Sequence, residues 1–177
     1  MVNKLLMFLA YVAFFVLALM YFTPKTSLYY MLEKELKQYD VIISDEKVTD
    51  NGFSLSIDDA TVYVKNIDTA ILKELDIKLF AFYNAISLKD ITLSDVTASF
   101  IPVRIKSVDL MYSIIDPLNL KIDAEGAFGT ASGSLSISER KLHLDVVPSK
   151  IMHSKYKNTM RQLKKQKDGG YSYDKAF

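Results

Sequence analysis

The chain has 177 residues, half of them hydrophobic, with 22 Lys and Arg against 21 Asp and Glu, two histidines and no cysteine. Without cysteine there are no disulfides, thiolate nucleophiles or cysteine–zinc sites. The near-zero net charge conceals a division: residues 1–148 carry 14 basic and 19 acidic groups, and residues 149–177 carry 8 and 2, so the tail points to a different partner from the rest.

The chain opens with a lone charge, Lys4, before an apolar run from Leu5 to Phe22 that Thr23, Pro24 and Lys25 close. The 20 uncharged residues from Leu5 to Pro24 match a hydrocarbon core of roughly 30 Å at about 1.5 Å per residue. Tyr21 and Phe22 stand where an interfacial aromatic belt would lie. A cleaved signal peptide has a shorter core, roughly 7–15 residues, before a small-x-small site. Only Val16-Leu17-Ala18 approaches that pattern, and it lies inside the run. Residues 1–25 therefore read as an uncleaved transmembrane anchor. Lys4 on one side and Lys25, Lys34 and Lys37 on the other leave its orientation undecided by charge.

Pro24 interrupts the first helix, and Thr26 or Ser27 can cap a second one over 26–40. Leu28, Leu32, Leu36 and Tyr39 recur there at helical spacing, which predicts an amphipathic juxtamembrane helix.

From Val41 the apolar period falls to two, and residues 41–148 read as a β domain. Phe53, Leu55 and Ile57 alternate with Ser54, Ser56 and Asp58. Asp58-Asp59 predicts a turn into a strand with Val62 and Val64. Leu75, Ile77, Leu79 and Ala81 form the next strand. Ile86 and Leu88 are separated by a predicted turn at Lys89-Asp90 from Ile91 and Leu93. Ile105, Val108, Leu110 and Tyr112 form a strand with a one-residue slip near Ser107. Asp116-Pro117 turns the chain into Leu118, Leu120, Ile122 and Ala124. A final hairpin pairs Gly133, Leu135 and Ile137 with Leu142, Leu144 and Val146 across a turn at Ser138–Lys141. The fold class is mainly β: an antiparallel meander of eight or nine strands, curved or folded over, with one buried and one wet face. No glycine-rich strand-to-helix junction is present, which argues against a nucleotide-binding α/β fold.

Alternation fails at Leu79-Phe80-Ala81-Phe82-Tyr83. Either this is a central strand covered on both faces by helices, or Phe80 and Phe82, with Phe100 and Ile101, form one patch that receives a protein partner or an acyl chain. After Pro148, Ser149 can cap a helix reaching about Gln166, with Met152, Tyr156, Met160 and Leu163 as its apolar stripe. Lys150, Lys155, Lys157, Arg161, Lys164, Lys165 and Lys167 surround that stripe. This basic tail over 149–177 is a solvated face, or it contacts anionic headgroups or an acidic partner. Nucleic acid is disfavoured, because no base-stacking platform accompanies the charge. Asp168-Gly169-Gly170 then leads to an extended end, with Tyr171, Tyr173 and Phe177 on one side.

Catalysis finds little support. His143 and His153 fall on different elements, and no HExxH, P-loop or nucleophile elbow occurs. Ser44–Lys47 and Ser138–Lys141 have Ser-x-x-Lys spacing but lack the flanking motifs of that chemistry. The acidic pairs Asp45-Glu46, Asp58-Asp59 and Asp123/Glu125 read as solvated carboxylates without calcium-loop spacing. No catalytic residue, metal or cofactor is assigned, and a non-enzymatic protein is expected.

An N-terminal anchor, a short helix, a meander containing FSLSIDDATVYVKNID and the glycine-marked hairpin GAFGTASGSLSISERKLHLDVVPS follow one another in this chain. That order resembles the N protein of type II secretion systems and, more loosely, AsmA-type and LptC-type periplasmic β modules. The resemblance implies an inner-membrane anchor, a periplasmic β domain and a folded-over sheet whose concave side holds core or lipid. It carries no catalytic residues. The resulting expectation is an envelope component, secretion-related, that docks protein partners or further copies of itself. Its alternative is a module that shields acyl chains of phospholipid in an apolar groove.

Overall fold

A computed structural model describes residues 2–80, 82–166 and 169–177. The apolar run forms helix α1 (Val2–Phe22), and the segment Asn3–Phe22 is long and apolar enough to cross a membrane, with none of it buried against protein. Pro24 cannot continue α1 and is itself the residue that precedes helix α2 (Lys25–Lys37), so neither Thr26 nor Ser27 caps it. Lys25 turns its ammonium back onto α1, donating to the carbonyls of Met20 at 3.0 Å, Thr23 at 3.2 Å and Tyr21 at 3.4 Å. It thereby satisfies carbonyls that a helix end otherwise leaves unpaired.

Eleven strands form one open antiparallel sheet: β1 (Val41–Ser44), β2 (Lys47–Asp50), β3 (Ser54–Val64), β4 (Ile67–Leu79), β5 (Tyr83–Leu93), β6 (Arg104–Ser113), β7 (Asp116–Gly126), β8 (Gly129–Ser136), β9 (Lys141–Pro148), β10 (Lys164–Lys165) and β11 (Tyr171–Ala176). From β3 to β9 each strand pairs with its sequence neighbours. β1 and β2 lie end to end along the outer edge of β3, and β11 closes on β9 with β10 beyond it. A short helix, α3 (Asp95–Ala98), sits in the β5–β6 connection.

The turns predicted at Asp58-Asp59 and Lys89-Asp90 are not turns. β3 and β5 run straight through them, and Asp59 and Asp90 adopt left-handed backbone angles of 56° and 49°. At this line the pleat changes phase. Ile57, Leu75, Leu88 and Val108 lie opposite one another, and the next inward residues are Ala60, Leu72, Ile91 and Ile105, not the exposed Asp59, Lys73, Asp90 and Lys106. A short acidic side chain tolerates the left-handed region better than a bulky one, and the break lets four strands skip a charged row together. The slip predicted near Ser107 is part of it, since the β6–β7 register shifts between Ile105 and Ser107. True turns fall at Lys65-Asn66, both left-handed as a tight two-residue hairpin requires, and at Ile114-Ile115, which places Pro117 inside β7.

One core occupies the β3–β5 part of the inner face, built from Leu55, Ile57, Ala60, Leu72, Leu75, Ile77, Ile91 and Leu93. Helix α2 covers it, but turned from the predicted stripe. Tyr29 is the buried knob, whereas Leu28 and Leu32 stay half-exposed at the helix flank and Tyr39 is exposed. The predicted single C-terminal helix is also corrected. It is two short pieces, α4 (Lys150–Lys155) and α5 (Lys157–Met160), broken at Tyr156, with Lys164 and Lys165 in β10. Asn158 and Thr159 are weak helix formers, and the break lets Thr159 Oγ1 donate to the Phe100 carbonyl at 2.6 Å. Ser149 does cap α4, accepting from Met152 N–H at 3.4 Å, and Met152 and Met160 are buried as the stripe requires.

Candidate functional site

Ladder register carries the apolar face beyond the helix that covers its first part. Leu55, Ile77, Ile86, Leu110, Ile122, Gly133 and Leu144 oppose one another in succession from β3 to β9. A second row runs Leu79, Asn84, Tyr112, Leu120, Leu135 and Leu142. Residues directly opposite share a face, so both rows are continuous apolar bands with Asn84 and Gly133 as interruptions. Leu55 and Ile77 are buried, and from Ile86 of β5 onward the residues of both rows are partly buried. The close backbone approaches of α2 fall on β1, β2 and β3.

Where α2 stops covering the sheet there is a cavity of about 230 Å³, walled by Leu28, Tyr29 and Leu32 of α2 and by Ile77, Leu110 and Leu120 of the sheet. Its chemistry is almost wholly hydrocarbon. A second, more open cavity of about 460 Å³ shares Leu28, Leu79 and Asn84 with the first and is walled on its other side by Val16, Leu19 and Met20 of α1. The two form one groove from the inner face of the sheet to the flank of α1. Asn84 stands where they meet and accepts from the Phe80 N–H at 3.1 Å. The Tyr29 hydroxyl, buried beneath α2, makes no hydrogen bond. Burial, with the nearby Glu46 and Glu33 carboxylates, pushes its phenol well above the ordinary value; Glu46 is close enough to repel a phenolate but not in bonding geometry.

The four residues predicted as one patch are divided between the two ends of the sheet. Phe80 and the exposed Phe82 lie in the β4–β5 connection beside α1, not in a central strand. Phe100 and Ile101 lie in the β5–β6 connection, at the other end of a strand of 11 residues, about 35 Å away. Ala81 lies outside the described residues. The basic tail also sits at this far end: Lys150, Lys155, Lys157 and Arg161 are exposed on α4 and α5, while Lys165 is exposed on β10. Among the described residues of this group only Lys164 has a carboxylate within ion-pair distance, Asp174 at 3.4 Å. Lys167 lies outside the described residues.

The opposite face of the sheet is wet and charged. Ser56 donates to Asp76 at 2.8 Å and Ser87 to Asp109 at 2.6 Å. A cavity of about 650 Å³ at the pleat break is lined by Lys73, Asp90, Arg104, Lys106 and Glu125, with Lys106 and Glu125 paired at 3.0 Å. No group of three or more His, Asp or Glu among the described residues is arranged to hold a metal. Lys47 and Lys141 face Asp59 and Asp174, each at 3.9 Å, so the two Ser-x-x-Lys spacings point their lysines at carboxylates. His143 lies on the polar side, as alternation predicts, with Nδ1 at 2.7 Å from Asp174 of β11 and Nε2 at 3.5 Å from Asp145.

An apolar groove was expected from the sequence, but around Phe80 and Phe82; its walls are instead Leu28, Tyr29 and Leu32 of α2 and the inward leucines and isoleucines of β4–β7. No protein-family model, curated protein or solved structure matches this chain.

Proposed function

We propose that this chain is a single-pass, membrane-anchored β module without an enzymatic role, whose inner face shields the acyl chain of a phospholipid. The observation that carries this reading is the groove, apolar but for Lys25, Thr23 and Asn84, and opening on the flank of α1, long and apolar enough to cross a bilayer. An acyl chain leaving the hydrocarbon core beside Val16 and Leu19 would pass Leu79 and reach Leu110 and Leu120 without crossing a charged surface. Each CH2 group held there is worth about 0.8 kcal/mol against exposure to water. Native mass spectrometry of the full chain released from lipid nanodiscs tests it. Phospholipid-mass adducts are expected on the unaltered chain and not on a Leu110→Glu, Leu120→Glu variant with the same β content by circular dichroism. Adducts that persist in that variant, or that never form, would sink the proposal.

A second reading is favoured by the outer edges of β1 and β2, which stay open along the flank of β3. Such edges add strands from a partner, which suits docking of an envelope protein or a second copy in a secretion-related inner-membrane assembly. A photo-crosslinker at the exposed Thr49 of β2 should then capture one discrete partner in intact cells, and none at Met111 on β6, away from that edge. A reporter fused after Phe177 would place the β domain inside or outside the bilayer.

A further inference from the structure

We infer that the sheet stands on the bilayer by one of its ends, with an apolar rim of turns inserted among the lipids beside α1. This rests on the reading of α1 as membrane-crossing.

Turns of an antiparallel meander are ordinarily its most polar segments. At the α1 end two connections break that rule, beside the polar Asn51-Gly52 turn that meets Tyr21. The β4–β5 connection carries Phe80 and Phe82, the β6–β7 turn is Ile114-Ile115, and Leu118 is the third residue of β7, after Asp116 and Pro117. Phe82 is 67% exposed and Ile115 is 92% exposed. Backbone bonds join these turns side by side: Ile114 N–H donates to the Phe82 carbonyl at 3.2 Å, and Ile137 N–H to the Leu118 carbonyl at 2.8 Å. They form a row along the end of the sheet, and Glu139 and Arg140 terminate it.

The row is continuous with α1. The Tyr21 ring meets the Phe53 ring edge-on at 5.4 Å, and Phe80 shares a cavity wall with Val16 and Leu19. Val16 lies about 9 Å along the helix from Phe22. A turn that reaches the level of Val16 lies within any bilayer that α1 crosses as far as Phe22. The occupant of the rim is therefore the lipid of that same bilayer. Exposed apolar residues at the other end, Val96 and Phe100 among them, have no such continuity, and Phe100 stands beside the basic helix α5.

The chain has no cysteine, so single labels report cleanly. The full chain is reconstituted in nanodiscs containing phosphatidylcholine with a nitroxide on the acyl chain near the glycerol or, in parallel, near the chain end, which reaches the mid-depth expected of Val12. Fluorophores are placed singly through Phe82→Cys, Ile115→Cys, Val96→Cys and Val12→Cys. The expected result is strong loss of fluorescence at Phe82, Ile115 and Val12, and no loss at Val96. Should the Phe82 and Ile115 labels be no more quenched than Val96 while Val12 is quenched, the rim is wrong and the anchor stands. Equal quenching at Val96 and Ile115 overturns the end-on stance. An unquenched Val12 removes the anchor reading and the rim with it.

Discussion

Lys25 is 1% exposed, and its Nζ donates to the three carbonyls of Met20, Tyr21 and Thr23 at the end of α1. Hydrogen bonds from a charged donor are worth about 1.5–3 kcal/mol each when broken in a buried setting. Lys25→Leu should lower the unfolding free energy of the full chain by about that range, read as a reduced midpoint in thermal melts; an unchanged midpoint would mean that water caps α1 as well. Gly52 is under a similar constraint. Its backbone is left-handed, at 80°, and an added Cβ would fall 2.3 Å from a Tyr21 ring carbon. On the wet face, the Asp174 carboxylate raises the His143 imidazole above 6.5, and His143 in turn holds Asp174 below 3.8. The histidine share of this pin is complete below pH 6.5 and is lost as pH rises through its raised value. The aspartate share is present above pH 3.8 and is lost as pH falls through its lowered value. Strand β11 is thus held best between pH 3.8 and 6.5. A nitroxide at Ala176→Cys should be more mobile at about pH 8 than at about pH 6, and His143→Gln should abolish the difference. Equal mobility at both pH values in the unaltered chain would refute this.

At the scale of elements, the two halves of one apolar face make different predictions. Ile57 is fully buried beneath α2, so Ile57→Ala should cost about 2–5 kcal/mol as a cavity in a closed core. Ile122, on β7 of the same face, is only partly buried, and Ile122→Ala should cost under about 1.5 kcal/mol. Chemical denaturation of both variants decides it; equal costs would mean that the far half is closed in solution. The strands were legible from alternation because a two-residue period survives wherever one face is wet. Asp58-Asp59 and Lys89-Asp90 were misread because a charged pair inside a strand has the composition of a turn, and only pairing with both neighbours shows that the chain runs on. The α2 stripe was misread because Tyr29 outbids leucine for the core, its ring filling the space above Leu55 and Ile57. The C-terminal helix was overextended because Met152, Tyr156, Met160 and Leu163 keep helical spacing across a break that a tertiary bond from Thr159 imposes. The division of Phe80 and Phe82 from Phe100 and Ile101 could not be read from sequence, since it depends on which end of each strand a connection occupies.

Taken whole, the molecule has unlike ends. The β4–β5 and β6–β7 turns at the α1 end are apolar, and α4, α5 and the residue that follows α5 carry exposed Lys150, Lys155, Lys157 and Arg161 at the other. Strands of 11 residues separate them by about 35 Å, several times the Debye length of about 8 Å in physiological salt. On the proposed membrane-crossing reading of α1, these four basic residues are too far from its headgroups to gain from their charge. A fluorophore at Lys155→Cys should stay unquenched in nanodiscs of neutral or of anionic nitroxide lipid; quenching confined to the anionic discs would show the tail folding back.

The strand order has a consequence for synthesis. From β3 to β9 every strand finds its partner in the segment made just before it, so each hairpin can dock as it leaves the ribosome or translocon, with no wait for distant chain. Such local wiring favours rapid, vectorial folding. It also makes the sheet extensible, because a hairpin gained or lost between β5 and β9 would alter its breadth while leaving every other pairing intact.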